Sequence, residues 1–172
     1  PGSTFKILAS YSAALDAGGL TLASVQDDAP YTYAGANGKS VSNYDKRYRG
    51  FTTLREAITD SINIVTVKTL AQVGVSLGWQ YVQEYGFTTV DSRDMNEALA
   101  LGGITQGVSN LELTAAYAAI ANQGTYIKPK FYTKILDHDG NVLIDNTTPE
   151  SHTVIKDTTA WLLTSAMEDV MT

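Results

Sequence analysis

The chain has 172 residues, 44% of them hydrophobic and 17% charged, which suits one domain with a substantial core and not a disordered segment. A net charge of −6 without any Lys/Arg cluster argues against nucleic-acid binding, and no apolar run is long enough to cross a bilayer. Cysteine is absent and His138 and His152 lie far apart in polar segments, so neither disulfides nor a metal site is expected, and no cofactor is implied.

The chain opens with Pro1-Gly2-Ser3-Thr4-Phe5-Lys6, a turn that runs into a helix. Ile7, Leu8, Tyr11, Ala14 and Leu15 recur at helical spacing and predict an apolar face as far as about residue 17, where Gly18-Gly19 end it. On such a helix Ser3 and Lys6 share a face, with Cβ atoms about 5–6 Å apart. A serine nucleophile needs a proton acceptor, and a lysine serves if burial or a nearby positive charge leaves part of it neutral. The same residues also fit a plain N-cap followed by a solvated first-turn lysine, since Ser-x-x-Lys is common by chance.

Residues 20–50 are rich in Gly, Asn, Asp, Ser and Tyr and read as a long irregular excursion. Tyr31, Tyr33, Tyr44 and Tyr48 either line a groove or, as expected of tyrosines in a long loop, pin it to the body. Thr52 or Thr53 caps a helix over 54–59, with Glu56 completing a capping box. Asp60-Ser61-Ile62-Asn63 then leads into an apolar helical run closed by Gly74. Ser61 and Asn63 read alone as helix caps, although in a turn both side chains can point to one side.

A helix is predicted over 77–85, with Gly86 as its stop, and a helical tendency near 96–99. Residues 101–109 form a glycine-rich loop, but no strand precedes it and no lysine follows it as a phosphate-cradling loop requires. Ser109 and Glu112 form a second capping box for a helix over 110–122, whose many alanines suggest a central, buried position. Asp139-Gly140 joins strands over 126–136 and 141–144 in the clearest hairpin. Lys156-Asp157 leads into a last helix with Trp161, Leu162, Met167, Val170 and Met171 as its apolar positions. The expected class is α+β, mostly helical with one small hairpin, with no repeat and no linker dividing two domains. Both ends are expected to be cut from something longer.

Taken in order, the blocks PGSTFK at 1–6, TLREAITDSIN at 53–63, LALGGITQGV at 99–108 and SNLELTAAYAAIANQG at 109–124 resemble the transpeptidase domain of class A (bifunctional) high-molecular-weight penicillin-binding proteins. The resemblance covers essentially the whole chain. It implies the penicillin-binding-protein/serine β-lactamase-like fold, here its helical portion plus a small hairpin, with much of the central antiparallel sheet outside residues 1–172. It implies D,D-transpeptidation of peptidoglycan stem peptides ending in D-Ala-D-Ala, through a serine acyl-enzyme that β-lactams mimic. Ser3 carries over as the nucleophile and Lys6 as its base. Ser61 carries over as the proton relay to the leaving nitrogen, and Asn63 as a hydrogen-bond partner of Lys6 and of the substrate amide.

The third family signature, Lys-Thr/Ser-Gly on a strand, is absent; Lys68-Thr69 is followed by Leu70. In the family that strand supplies carboxylate binding and one of two oxyanion-hole N–H groups. Loss of such a donor costs about 10²–10³ in rate, so the isolated chain is expected to be poorly active unless a separate chain supplies the missing sheet. Two other classes stay open. One is a D,D-carboxypeptidase or β-lactamase-type hydrolase, with Glu97 or Glu112 as the residues to consider for a deacylating base; the other is a non-catalytic penicillin-binding-like module. By resemblance the full-length protein acts on the extracytoplasmic face of the bacterial cell membrane, anchored through N-terminal parts not present in this sequence.

Overall fold

In the computed structural model, which describes residues 1–34 and 39–171, the first helix forms the axis of the fold. It begins as a 3₁₀ turn over Gly2–Thr4, widens into a π turn over Ile7–Tyr11 and continues as α1, Ser12–Asp16. The π turn is set by Ser12 N–H bonding back to Ile7 O, five residues away in place of four, a geometry frequent at functional sites. The expected one-sided stripe is replaced by burial all round: Phe5, Leu8, Ala9 and Tyr11 are fully covered, and so are Ser10 and Ser12. The buried hydroxyls are satisfied. Ser10 Oγ donates to Thr66 O at 2.9 Å, Tyr11 Oη pairs with Thr66 Oγ1 at 2.8 Å, and Ser12 Oγ pairs with Tyr85 Oη at 2.9 Å.

Helices α3, Asn63–Val73, and α4, Val75–Glu84, pack on this axis, and α2, Leu54–Thr59, packs on α3. Gly78 lets α4 approach closely, because a Cβ there would lie 2.5 Å from Ala9 O. A 3₁₀ turn over Glu97–Leu101 packs on α3 and α4, and α6, Asp157–Glu168, packs on α1 and α2. The expected capping boxes form as read, Thr53 with Glu56 on α2 and Ser109 with Glu112 on α5, Asn110–Ala121.

Two helices differ from expectation. Helix α5 is buried on one side only, through Ala115, Ala116, Ala119 and Ile120, while Ala118 and Ala121 face outward. Helix α6 buries Ala160, Leu163 and Ala166, and its Trp161 is 69% exposed. Alanines together with Ile120 and Leu163 make the inward contacts, and Trp161 and Leu162 border an open groove between α5 and α6.

Among the described residues the strands form four two-stranded antiparallel ribbons, not one hairpin. β1, Val25–Asp28, pairs with β4, Gly50–Thr53; β2, Tyr31–Thr32, pairs with β3, Ser40–Val41. The excursion expected over 20–50 is therefore partly regular; its residues 35–38 lie outside the described residues. Its strands are polar, as in Gln26-Asp27-Asp28, and carry no alternating apolar signal. The long strand expected over 126–136 is interrupted around Pro129, which lacks an N–H donor. It divides into β5, Thr125–Ile127, paired with β8, Ser151–Thr153, and β6, Lys134–Leu136, paired with β7, Val142–Asp145, across the expected Asp139-Gly140 turn. Among the described residues no helix is long and apolar enough to cross a membrane.

Candidate active site

Ser3 sits in the 3₁₀ turn that opens the central helix. It is exposed and makes no capping hydrogen bond, so it is not the N-cap that its sequence position permits. Several contacts fix this turn. Gly2 adopts φ +65°, and Thr4 Oγ1 donates to Pro1 O at 2.9 Å. Tyr117 of α5 donates its hydroxyl to Thr4 O at 2.6 Å. The glycine-rich loop has a structural part here: a Cβ on Gly102, itself at φ +73°, would lie 2.7 Å from Gly2 N.

One turn further on, Lys6 is 3% exposed. Its Nζ donates to Ser61 O at 2.6 Å and to Ser61 Oγ at 2.9 Å. Burial penalises the ammonium form and lowers the Lys6 pKa to about 8. The amine is thus partly neutral near neutral pH, as a base must be. It faces hydroxyl and carbonyl oxygen, and among the described residues no carboxylate pairs with it to restore its charge.

Ser61 reaches Lys6 through an unusual backbone. It follows the end of α2 and adopts φ +52°. Ser61 N–H bonds to Ile58 O at 3.1 Å and Ile62 N–H to Ala57 O at 2.9 Å, the two bonds of a Schellman ending. Glycine is the usual residue at this position, and a side chain there costs about 1–3 kcal/mol. The strained conformation turns both oxygens of Ser61 toward the same amine.

Asn63 is placed differently from the expectation that it bonds Lys6. Its Nδ2 donates to Ser42 O at 2.8 Å, and its own N–H is taken by Asn43 Oδ1 at 3.1 Å. It still faces the cleft. One arm of that cleft, about 310 Å³, brings Ser3, Lys6 and Ser61 together with Ile58, Tyr117 and Met167. A second arm, about 590 Å³, brings Ser3, Ser61 and Asn63 together with Ser42, Tyr44 and Lys46. Of the loop tyrosines, Tyr31 pins the loop by donating to Glu97 Oε1 at 3.0 Å, whereas Tyr44 is 97% exposed in the second arm.

Glu97 and Glu112 line neither arm. Glu97 accepts from Tyr31 and from Ala34 N–H, and Glu112 is occupied by Ser109 and Thr88. Sequence reading missed Tyr117 and Asn43. Tyr117 breaks an alanine-rich helix with one hydroxyl aromatic, a signal that was available; Asn43 lies in a polar stretch without periodicity.

The arrangement is an exposed serine beside a desolvated amine, with a second serine on that amine. Comparison with known proteins shows the family. The family model of the penicillin binding protein transpeptidase domain matches residues 1–172. Penicillin-binding protein 1F of Bacillus subtilis is 38% identical over 171 residues, covering 99% of this chain and 23% of that protein. The crystal structure of penicillin-binding protein 1A from Haemophilus influenzae superposes with a TM-score of 0.84 at 28% identity, covering 98% of this chain and 29% of that one. A penicillin G acyl-enzyme complex of penicillin-binding protein A from M. tuberculosis shares the fold, with a TM-score of 0.85 at 21% identity over 99% of this chain and 43% of that one. The chain thus spans about a quarter of the length of the curated relative it matches at 38% identity. It belongs to the penicillin-binding protein transpeptidase domain family, in the class A branch.

Proposed function

We propose that this chain is part of a D,D-transpeptidase that cross-links peptidoglycan stem peptides through an acyl-enzyme on Ser3. The observation that carries the reading is the Lys6 amine, buried, lowered to about 8 and held by Ser61 one helical turn from an exposed serine. In the first step neutral Lys6 takes the Ser3 proton, and Ser3 Oγ attacks the carbonyl between the two D-alanines. The C–N bond then breaks, and the proton returns through Ser61 Oγ to the departing amine. In the second step an amino group of a neighbouring stem peptide attacks the ester, gives up its proton along the same route and releases Ser3. The Ser3 N–H at the helix mouth is one donor for the developing oxyanion.

Asn63 orients the substrate amide from the second arm of the cleft, its Nδ2 moving from Ser42 O or sharing with it. A β-lactam carbonyl would take the place of the D-Ala-D-Ala carbonyl, as the solved M. tuberculosis protein's penicillin G acyl-enzyme illustrates for that relative. We read residues 1–172 as a partial domain, with the Lys-Thr-Gly-type strand supplied from elsewhere and the whole protein working at the outer face of the cell membrane. Transfer to an amine is preferred over hydrolysis because Glu97 and Glu112, the residues considered for a deacylating base, line neither arm of the cleft. Intact mass after incubation with benzylpenicillin tests the reading. A gain of one drug mass that is lost in Ser3→Ala supports it, and a gain unaffected by Ser3→Ala refutes it.

A further inference from the structure

Helix α3 begins just past the Ser61 turn, and its N-cap residue, Ile62, has no side chain able to accept a hydrogen bond. Such a helix start leaves backbone N–H groups without partners. Here a distant residue supplies one. Asn43, 2% exposed in the loop between β3 and β4, accepts from Asn63 N–H at 3.1 Å and from Ile64 N–H at 3.2 Å through the same Oδ1.

The amide of Asn43 has only one orientation that satisfies its surroundings. Its Nδ2 donates to Asp28 Oδ1 at 2.8 Å, to Asp28 Oδ2 at 2.9 Å and to Arg47 O at 2.8 Å, all acceptors. The oxygen therefore has to face α3. Asp28 is fully buried and also accepts Arg49 N–H at 2.9 Å. A buried carboxyl group thus stands behind the amide and orients it toward the positive end of α3. Ser42, next to Asn43, receives the Asn63 side chain. One loop holds both the backbone and the side chain of the first residue of α3.

We infer that Asn43, oriented by Asp28, is a positioning residue that fixes the Ser61-Ile62-Asn63 turn and so holds Ser61 on Lys6. Only Ser61 and Ile62 separate the cap residue of α2, Asp60, from the first residue of α3, Asn63. The left-handed Ser61 backbone is held from the α2 side by the two bonds of the Schellman ending and from the α3 side by Asn43. Without the second anchor the turn can relax and withdraw both oxygens that Lys6 uses. The catalytic half of this inference rests on the proposed function; the anchoring half does not.

The test uses Asn43→Ala, Asn43→Asp, Asp28→Asn and the double variant Asp28→Asn/Asn43→Asp. In Asn43→Asp two carboxylates face each other with no N–H between them. In the double variant the roles are exchanged: the carboxylate placed at position 43 can accept the α3 N–H groups while the amide placed at position 28 donates to it. Two quantities are read: hydrogen exchange of the Asn63 and Ile64 amides, and the acylation step by benzylpenicillin separated from its initial binding. Leu163→Ala in α6 serves as a control for general destabilisation. In Asn43→Ala and Asn43→Asp, exchange is expected to quicken by about tenfold, as for one lost cap. Acylation should slow more than in Leu163→Ala while initial binding holds, and the double variant should recover part of both losses, since the carboxylate at position 43 restores the acceptor for α3 but leaves Arg47 O without its donor. Unchanged exchange, an acylation loss no larger than that of Leu163→Ala, or a double variant no better than the singles would overturn the inference. A full-length protein, Lys-Thr-Gly strand included, that takes no label overturns the proposed function and the catalytic half, while exchange still decides the anchoring half.

Discussion

The base role proposed for Lys6 rests on what, among the described residues, does not surround it. An amine buried to 3% exposure beside two serine oxygens has lost water without gaining a carboxylate, and its pKa falls to about 8. The folded chain then binds fewer protons at this site than the unfolded chain between about 8 and the usual 10.5. Its contribution to stability therefore rises with pH across that window. In Lys6→Met this rise should disappear, as denaturant titrations at several pH values will report. Ser61 separates backbone from chemistry. Ser61→Gly keeps the left-handed turn without strain, whereas Ser61→Ala keeps the strain; both lose the hydroxyl. Glycine should be the more stable of the two by about 1 kcal/mol, and both should acylate more slowly than wild type. Thermal melts and labelling rates check the pair.

At the scale of elements, the junction of α2 and α3 and the contact from α5 build the site. Tyr117 reaches from α5 to the carbonyl of Thr4 at 2.6 Å, next to Ser3. Tyr117→Phe should slow Ser3 labelling severalfold with little change in melting temperature, since one exposed hydrogen bond is worth about 0.5–1.5 kcal/mol. The legible features of the sequence were those whose chemistry is local. The Thr53–Glu56 and Ser109–Glu112 boxes act three residues apart, and Asp139-Gly140 makes its own turn, so each could be read directly. Ser3 and Lys6 were also legible as one helical turn. The Lys6–Ser61 contact spans 55 positions and was reachable only through resemblance. The ribbons of residues 25–53 were hidden because buried Asp28 and Asn43, not an alternating apolar pattern, hold them. Asn63 was expected on Lys6, and the Ser42 carbonyl took its amide instead.

At the scale of the whole molecule, large apolar side chains remain exposed in two places. The groove between α5 and α6 exposes Trp161 at 69%, and both faces of the β6–β7 hairpin expose large residues, among them Leu143 at 64%. Exposed apolar surface of this kind favours association. The purified chain should self-associate with rising concentration, and Trp161→Arg should reduce this in sedimentation experiments without lowering the melting temperature. Val170 and Met171, 52% and 87% exposed, border the first arm of the cleft together with Met167, so covering them would also shape the site.

The most direct measurement of the central claim is the rate of benzylpenicillin attachment to Ser3 as a function of pH, followed by intact mass. If neutral Lys6 activates Ser3, the rate rises with pH through about 8 and the label is lost in Ser3→Ala. A rate that is flat across that range in a chain still labelled on Ser3, or a label that persists in Ser3→Ala, would contradict it.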